Sequence, residues 1–221
     1  MTETHESGWN RRDFIGGAAL LALALGVPLA AVRMSSLDPA DAPTEAQRAL
    51  LREVSQLVLP RTGTPGAGEV GVGDFVALAL AHGLEKSRQP LDGKADPRLL
   101  RFRRSDGSLD HVTWLATELE RRAGMDFLKA APDARVAALT ALDAEAFGPE
   151  AKAHPWRTLK ALILTGYYTS EVGGAQELRF ELVPGRFDPD LPLQPGDRAW
   201  SSAWTAVDFG KRAMTMKFYA I

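Results

Sequence analysis

The chain has 221 residues, 45% hydrophobic and 8% aromatic, with a formal net charge of -2, which suits one domain of roughly 150–200 residues plus an export segment. A near-neutral balance with no clustered basic stripe excludes an electrostatic footprint for nucleic acid. Cysteine is absent, so neither an iron–sulfur cluster nor covalent c-type haem can be built from this chain alone.

The N-terminus reads Asn10-Arg11-Arg12-Asp13-Phe14-Ile15 and continues as an uncharged apolar run to Val32. An arginine pair, one polar residue and two hydrophobes ahead of such a run match the twin-arginine export pattern, with Arg11, Arg12 and Phe14 as its key positions. Residues 1–33 are therefore set apart from the fold as a targeting segment. Two fates stay open. Leu29-Ala30-Ala31 approximates a cleavage site, while the run is about long enough for an uncleaved anchor.

Residues 34–43 form a linker carrying Pro39 and Pro43. Thr44 and Gln47 predict a capping box on a helix that carries Leu50, Val54, Leu57 and Val58 on one face and ends before Pro60. Arg61 to Gly73 holds Gly63, Gly66, Gly68, Gly71 and Gly73. It lacks the order of a phosphate-binding loop and reads as a surface turn between helices. Asp74 is expected to cap a helix from Phe75 to Leu84, apolar nearly all round and therefore buried. The polar stretch to Leu109 contains Arg98, Arg101, Arg103 and Arg104, read as a solvated face.

Val112, Leu115, Ala116 and Leu119 mark a helix stopped at Gly124, with Arg121 and Arg122 in its last turn opposite the negative end of the dipole. Pro132 opens the next, with a stripe of Val136, Leu139, Leu142 and Phe147. Asp143, Glu145 and Glu150 near its end are read as surface carboxylates. Pro155 suits a first helical position, where its missing N–H is not needed. Leu159, Leu162, Ile163 and Tyr167 fall on one face of the helix it starts. The helix is expected to stop at Gly173-Gly174 in a left-handed cap. Leu178 to Leu182 alternates like one short strand, and Pro184, Pro189, Pro192 and Pro195 break the chain after it. The tail is aromatic, with Trp200, Trp204, Phe209, Phe218 and Tyr219. Its rings pack either on their own domain or on a partner, and both readings stand. The expected fold is a small all-α domain of about five helices over residues 44–174, followed by an irregular, proline-spaced arm over 175–221.

His5, His82, His111 and His154 form no i, i+4 pair, so no metal site is expected, and no nucleophile–base pair is recognisable. The polar-aromatic cluster of Tyr167, Tyr168 and Glu171 is the one place to test for chemistry. It reads better as a helix end or an interface, together with Arg179, Arg186, Phe187, Trp200 and Trp204.

The stretch LILTGYYTSEVGGAQELRFELVPGRFDPDLPL, followed by PGDRAW, resembles the C-terminal signature of the gluconate 2-dehydrogenase subunit 3 family. LVLPRTGTPGAGEVGVGDFVALAL, from Leu57 to Leu80, resembles its N-terminal half. The resemblance implies an exported, non-catalytic small subunit with no cofactor of its own. Its partner would be an FAD-dependent dehydrogenase of the glucose-methanol-choline (GMC) type, acting on sugars, sugar acids, polyols or glycosides. Electrons would leave to a cytochrome c subunit carrying haem c, or to quinone. The role implied is escort through the twin-arginine pathway into the periplasm, and help in folding the flavoprotein. Membrane association would come through the complex or through an uncleaved N-terminal segment. The alternative from the residues alone is a free-standing periplasmic binding or anchoring protein.

Overall fold

The computed structural model describes residues 37, 41–93, 95–149, 154–180, 192 and 194–201. These contain five α-helices: α1 (Glu45–Val58), α2 (Val72–Ala81), α3 (His111–Ala123), α4 (Pro132–Phe147) and α5 (Pro155–Tyr168). Short 3-10 turns at Leu84–Lys86, Pro97–Phe102 and Phe127–Lys129 link them, and a π-turn at Val172–Glu177 follows α5. The all-α expectation holds. None of the described helices is long and apolar enough to cross a membrane; the segment with Arg11, Arg12 and Phe14 lies outside the described residues.

Local chemistry sets the helix ends. Thr44 accepts from the Gln47 N–H while its own N–H donates to the Gln47 side chain at 2.9 Å, which satisfies two free donors at once. Gly124 ends α3 at φ 71, a conformation that costs glycine nothing. Pro155 stands at the first position of α5, and the His154 ring accepts from the Trp156 N–H.

Helix α2 packs against α1 and α5, while α3 and α4 close the bundle against the same two helices. The burial of α2 follows from a sequence with almost no polar face: every residue from Phe75 to Leu80 is buried. Two glycines permit the close packing. A Cβ on Gly73 would sit 2.7 Å from the Arg52 backbone nitrogen, and one on Gly166 would sit 2.4 Å from the Phe75 ring. Leu51, Val54, Phe75, Leu115, Leu119, Leu142, Leu159 and Leu162 make the fully buried centre.

Several expectations need correction. Helix α2 starts at Val72 after Gly71 at φ 82, so Asp74 lies in its first turn and does not cap it. Instead Asp74 accepts both arms of the Arg48 guanidinium, at 3.0 and 2.9 Å. The helix ends at Ala81, before Leu84. In α1, Leu51 and Ser55 are buried, whereas Leu57 and Val58 only pack against the core edge. Helix α4 meets the core through Ala138, Leu139, Leu142 and Ala146, while Val136 and Phe147 are half exposed. Asp143 is not a bare surface carboxylate, because it accepts from the Trp156 indole and from Lys160, each at 2.7 Å. Burial alone would raise its pKa, and those two bonds outweigh burial and hold it below the usual range. Nor are the arginines of the 98–104 stretch uniformly solvated. Arg98 is exposed, yet Arg104 is tied to Asp41 at 2.7 Å and faces Asp110.

Candidate partner interface

One edge of the bundle brings together the loop before α2, the end of α5 and the start of the C-terminal arm. The loop is more than a surface turn. Its Gly66, Ala67 and Gly68 are buried, with the Ala67 N–H on the Leu59 carbonyl and the Gly68 N–H on the Gln56 side chain, at 2.9 and 3.0 Å. Glu69 braces it by accepting from the Gly66 N–H at 2.8 Å and from the Arg61 guanidinium. The Arg61 bond first, and then the Gly66 bond, holds the Glu69 carboxyl below the usual range.

Helix α5 does not run on to the glycine pair. It ends at Tyr168, and Thr169 stays in the right-handed region. The chain then widens into the π-turn, where the Leu178 N–H reaches back to the Gly173 carbonyl at 3.2 Å. Gly173 and Gly174 are absent from the glycines at positive φ, so they do not serve as a left-handed cap. Their role is proximity: a Cβ on Gly173 would lie 2.1 Å from the Tyr167 carbonyl oxygen. Ser170 fills the break, donating its hydroxyl to that same carbonyl at 2.6 Å and accepting from the Gly173 N–H at 3.1 Å.

The loop and the π-turn are locked to one another. The Tyr167 hydroxyl donates to the Pro65 carbonyl at 3.0 Å and lies 3.2 Å from the Thr64 hydroxyl. That hydroxyl in turn donates to Glu177, at the end of the π-turn. Thr62 approaches the same Glu177 oxygen at 3.5 Å. The arm leaves here as a two-residue strand, Arg179–Phe180, paired in parallel with Trp200–Ser201. The Arg179 N–H donates to the Ala199 carbonyl at 2.8 Å, and Arg198 clamps the Glu177 and Leu178 carbonyls at 3.0 and 2.6 Å.

Of the residues singled out in the sequence, Tyr167 is a core residue, only 3% exposed, and works as the lock just described. Tyr168 is exposed and meets the Tyr167 ring edge-on at 5.3 Å. Partial burial first, then Glu177 and Tyr167, raises its pKa, so the ring stays neutral at any physiological pH. Glu171 and Arg179 are exposed on the same edge. The Trp200 backbone belongs to the strand pair. Arg186, Phe187 and Trp204 lie outside the described residues, as does Glu150. Sequence reasoning missed Thr64, Glu177 and Arg198. Their partners are distant along the chain (Thr64 and Glu177 lie 113 residues apart), and a threonine in a glycine-rich loop carries no local sign of such a bond. Among the described residues no group of three or more His, Cys, Asp or Glu could hold a metal ion.

The family model described as gluconate 2-dehydrogenase subunit 3 matches residues 45–185. The chain belongs to the gluconate 2-dehydrogenase subunit 3 family. The matched range begins with the first residue of α1, covers all five helices and reaches into the arm, so it takes in both halves of the lock. A gluconate 2-dehydrogenase subunit 3 is one component of a dehydrogenase complex, and a dehydrogenase partner goes with it. Searches of curated proteins and of solved structures returned no match.

Proposed function

We propose that this chain is the non-catalytic small subunit of a periplasmic FAD-dependent dehydrogenase complex of the GMC type, oxidising a sugar, sugar acid, polyol or glycoside. It escorts the flavoprotein through the twin-arginine pathway and stabilises its fold, holding no cofactor itself. FAD resides in the partner, and electrons pass to a further haem c subunit or to quinone. The observation that carries this reading is the rigid edge around Tyr168, Glu171 and Arg179. There the two segments most characteristic of the family meet, and from there a proline-spaced arm sets out. An arm of that composition is already extended and loses less entropy on docking. The loop and π-turn hold its root in one orientation. The partner contacts are then Tyr168, Glu171 and Arg179 on the edge, with Arg186, Phe187, Trp200 and Trp204 along the arm.

Two experiments test it. Arg11→Lys combined with Arg12→Lys strands both subunits inside the cell; export of the flavoprotein without this chain contradicts the escort role. Tyr168→Ala with Trp204→Ala lowers recovery of the complex while activity per bound flavin stays unchanged. Unchanged recovery with lost turnover would instead place those rings in the chemistry.

A further inference from the structure

A second feature lies on the opposite side of the bundle, at the N-terminal ends of α3 and α5. Residues 86–87, 89–92, 95–96 and 99 line, with those helix starts, an open groove of about 610 Å³, within the usual range for small-molecule sites. Its apolar wall is made by Pro90, Leu91, Leu99, Leu109 and Pro155, and His111, His154 and Arg157 line it as well. The rim is strained, since Glu85 and Lys86 both hold positive φ, at 51 and 61°, a conformation that non-glycine residues adopt at a cost.

His111 sets the chemistry of the groove. Its Nδ1 lies 3.0 Å from the Leu109 carbonyl, which can only accept, so Nδ1 carries the proton and Nε2 the lone pair. The side chain is 8% exposed and lines the groove. Burial pushes its pKa down to about 4, so the ring is neutral at physiological pH and Nε2 remains an acceptor. A lone pair beside an apolar wall calls for a hydroxyl donor. It gives nothing to a carboxylate, which brings only acceptors. Lys86, Asp92, Asp96 and Arg157 also line the groove, and the Arg157 guanidinium lies over the Phe147 ring at 5.2 Å. Arg157 donates through Nε to the Ala146 carbonyl at 2.7 Å, and Asp96 is taken by Arg98.

We propose that this groove is a binding site for a small, neutral, phenol-type molecule, its ring against Leu91, Leu99 and Pro155 and its hydroxyl donating to His111 Nε2. The site is independent of the partner edge, and it stands or falls separately from the subunit reading.

The test uses the full-length chain and two matched probes. p-Cresol carries the hydroxyl, and p-xylene replaces it with a methyl group of similar size. Binding is followed by calorimetry and by the side-chain ¹⁵N resonance of His111 Nε2. The expected result is that p-cresol binds about five- to tenfold tighter than p-xylene, the equivalent of one neutral hydrogen bond, and shifts the Nε2 resonance. His111→Asn keeps a donor for Leu109 and takes away the acceptor at the Nε2 position, its amide oxygen falling where Cδ2 stood, so it should bring the two probes level. Leu99→Trp fills the groove and should abolish both, which keeps the test alive if the histidine variant fails to fold. Equal affinities, no binding of p-cresol at millimolar concentration, or binding with an unmoved Nε2 resonance would each overturn the proposal.

Discussion

Replacing Gly173 by alanine tests the account of the π-turn. The added methyl would fall 2.1 Å from the Tyr167 carbonyl oxygen and 2.7 Å from its carbon. Both are backbone atoms at the end of a buried helix turn, so no side chain can swing aside to make room. The turn must open, and with it go the Ser170 bond to Gly173, the Leu178 bond to Gly173 and the hold of Glu177 on Thr64. Overpacking of this kind costs about 1–3 kcal/mol, and the lost bonds place this case at the upper end. For a chain of this length each kcal/mol moves the melting temperature by about 2–4 °C, so a fall of about 4–12 °C is expected. Two further glycines calibrate the series. Gly174→Ala meets the Tyr168 carbonyl at 2.9 Å and should lie between the extremes. Gly63→Ala meets nothing within 4 Å and should change stability by less than about 0.5 kcal/mol. Thermal unfolding of the three variants, followed by circular dichroism, gives the ranking. If Gly173→Ala and Gly63→Ala melt together, the glycine pair is not there for proximity and the reasoning fails.

Tyr167→Phe removes the bonds to Pro65 and Thr64 while keeping the ring, and should cost about 1–2 kcal/mol in urea unfolding; a neutral result would mean that the Thr64–Glu177 bond, not Tyr167, joins the loop to the π-turn. His111 makes stability depend on pH. Its folded pKa lies below the unfolded value of 6.5, so its contribution is complete above that value and is lost as pH falls towards about 4. The full drop is about 3 kcal/mol, and His111→Asn should flatten the urea-unfolding profile between those limits. Asp143→Ala leaves the buried Trp156 indole without its acceptor and Lys160 without its partner, a loss of about 1–3 kcal/mol, read by indole fluorescence and chemical unfolding together.

What was legible in the sequence was local. Thr44 with Gln47, Gly124 after a basic last turn and Pro155 at a helix start each act within one turn of chain, and each stands where its chemistry places it. Asp74 misled because its partner Arg48 lies 26 residues away, and a lone acid before an apolar run looks the same whether it caps or accepts a guanidinium. The stripe on α4 was misjudged by weighing large residues. The helix lies close to its neighbours through Ala138 and Ala146, which leaves Val136 and Phe147 at the rim; the Phe147 ring instead receives Arg157 and Lys160 at 5.2 and 4.8 Å. The glycine pair after α5 was expected to supply positive φ, whereas its role is close approach. Only the packed structure tells them apart. The edge beside the π-turn was half visible: Tyr168, Glu171 and Arg179 stood out as polar-aromatic types near a helix end, whereas the Thr64–Glu177 lock depends on tertiary folding.

The central claim concerns assembly, and purification of the intact complex tests it most directly. The tagged full-length chain is recovered from its native host membranes, its absorbance spectrum is recorded, and the co-purifying polypeptides are identified by peptide mass. The account predicts a flavin spectrum and a flavoenzyme-sized partner in constant ratio to this chain. A colourless, monodisperse protein recovered alone would contradict it.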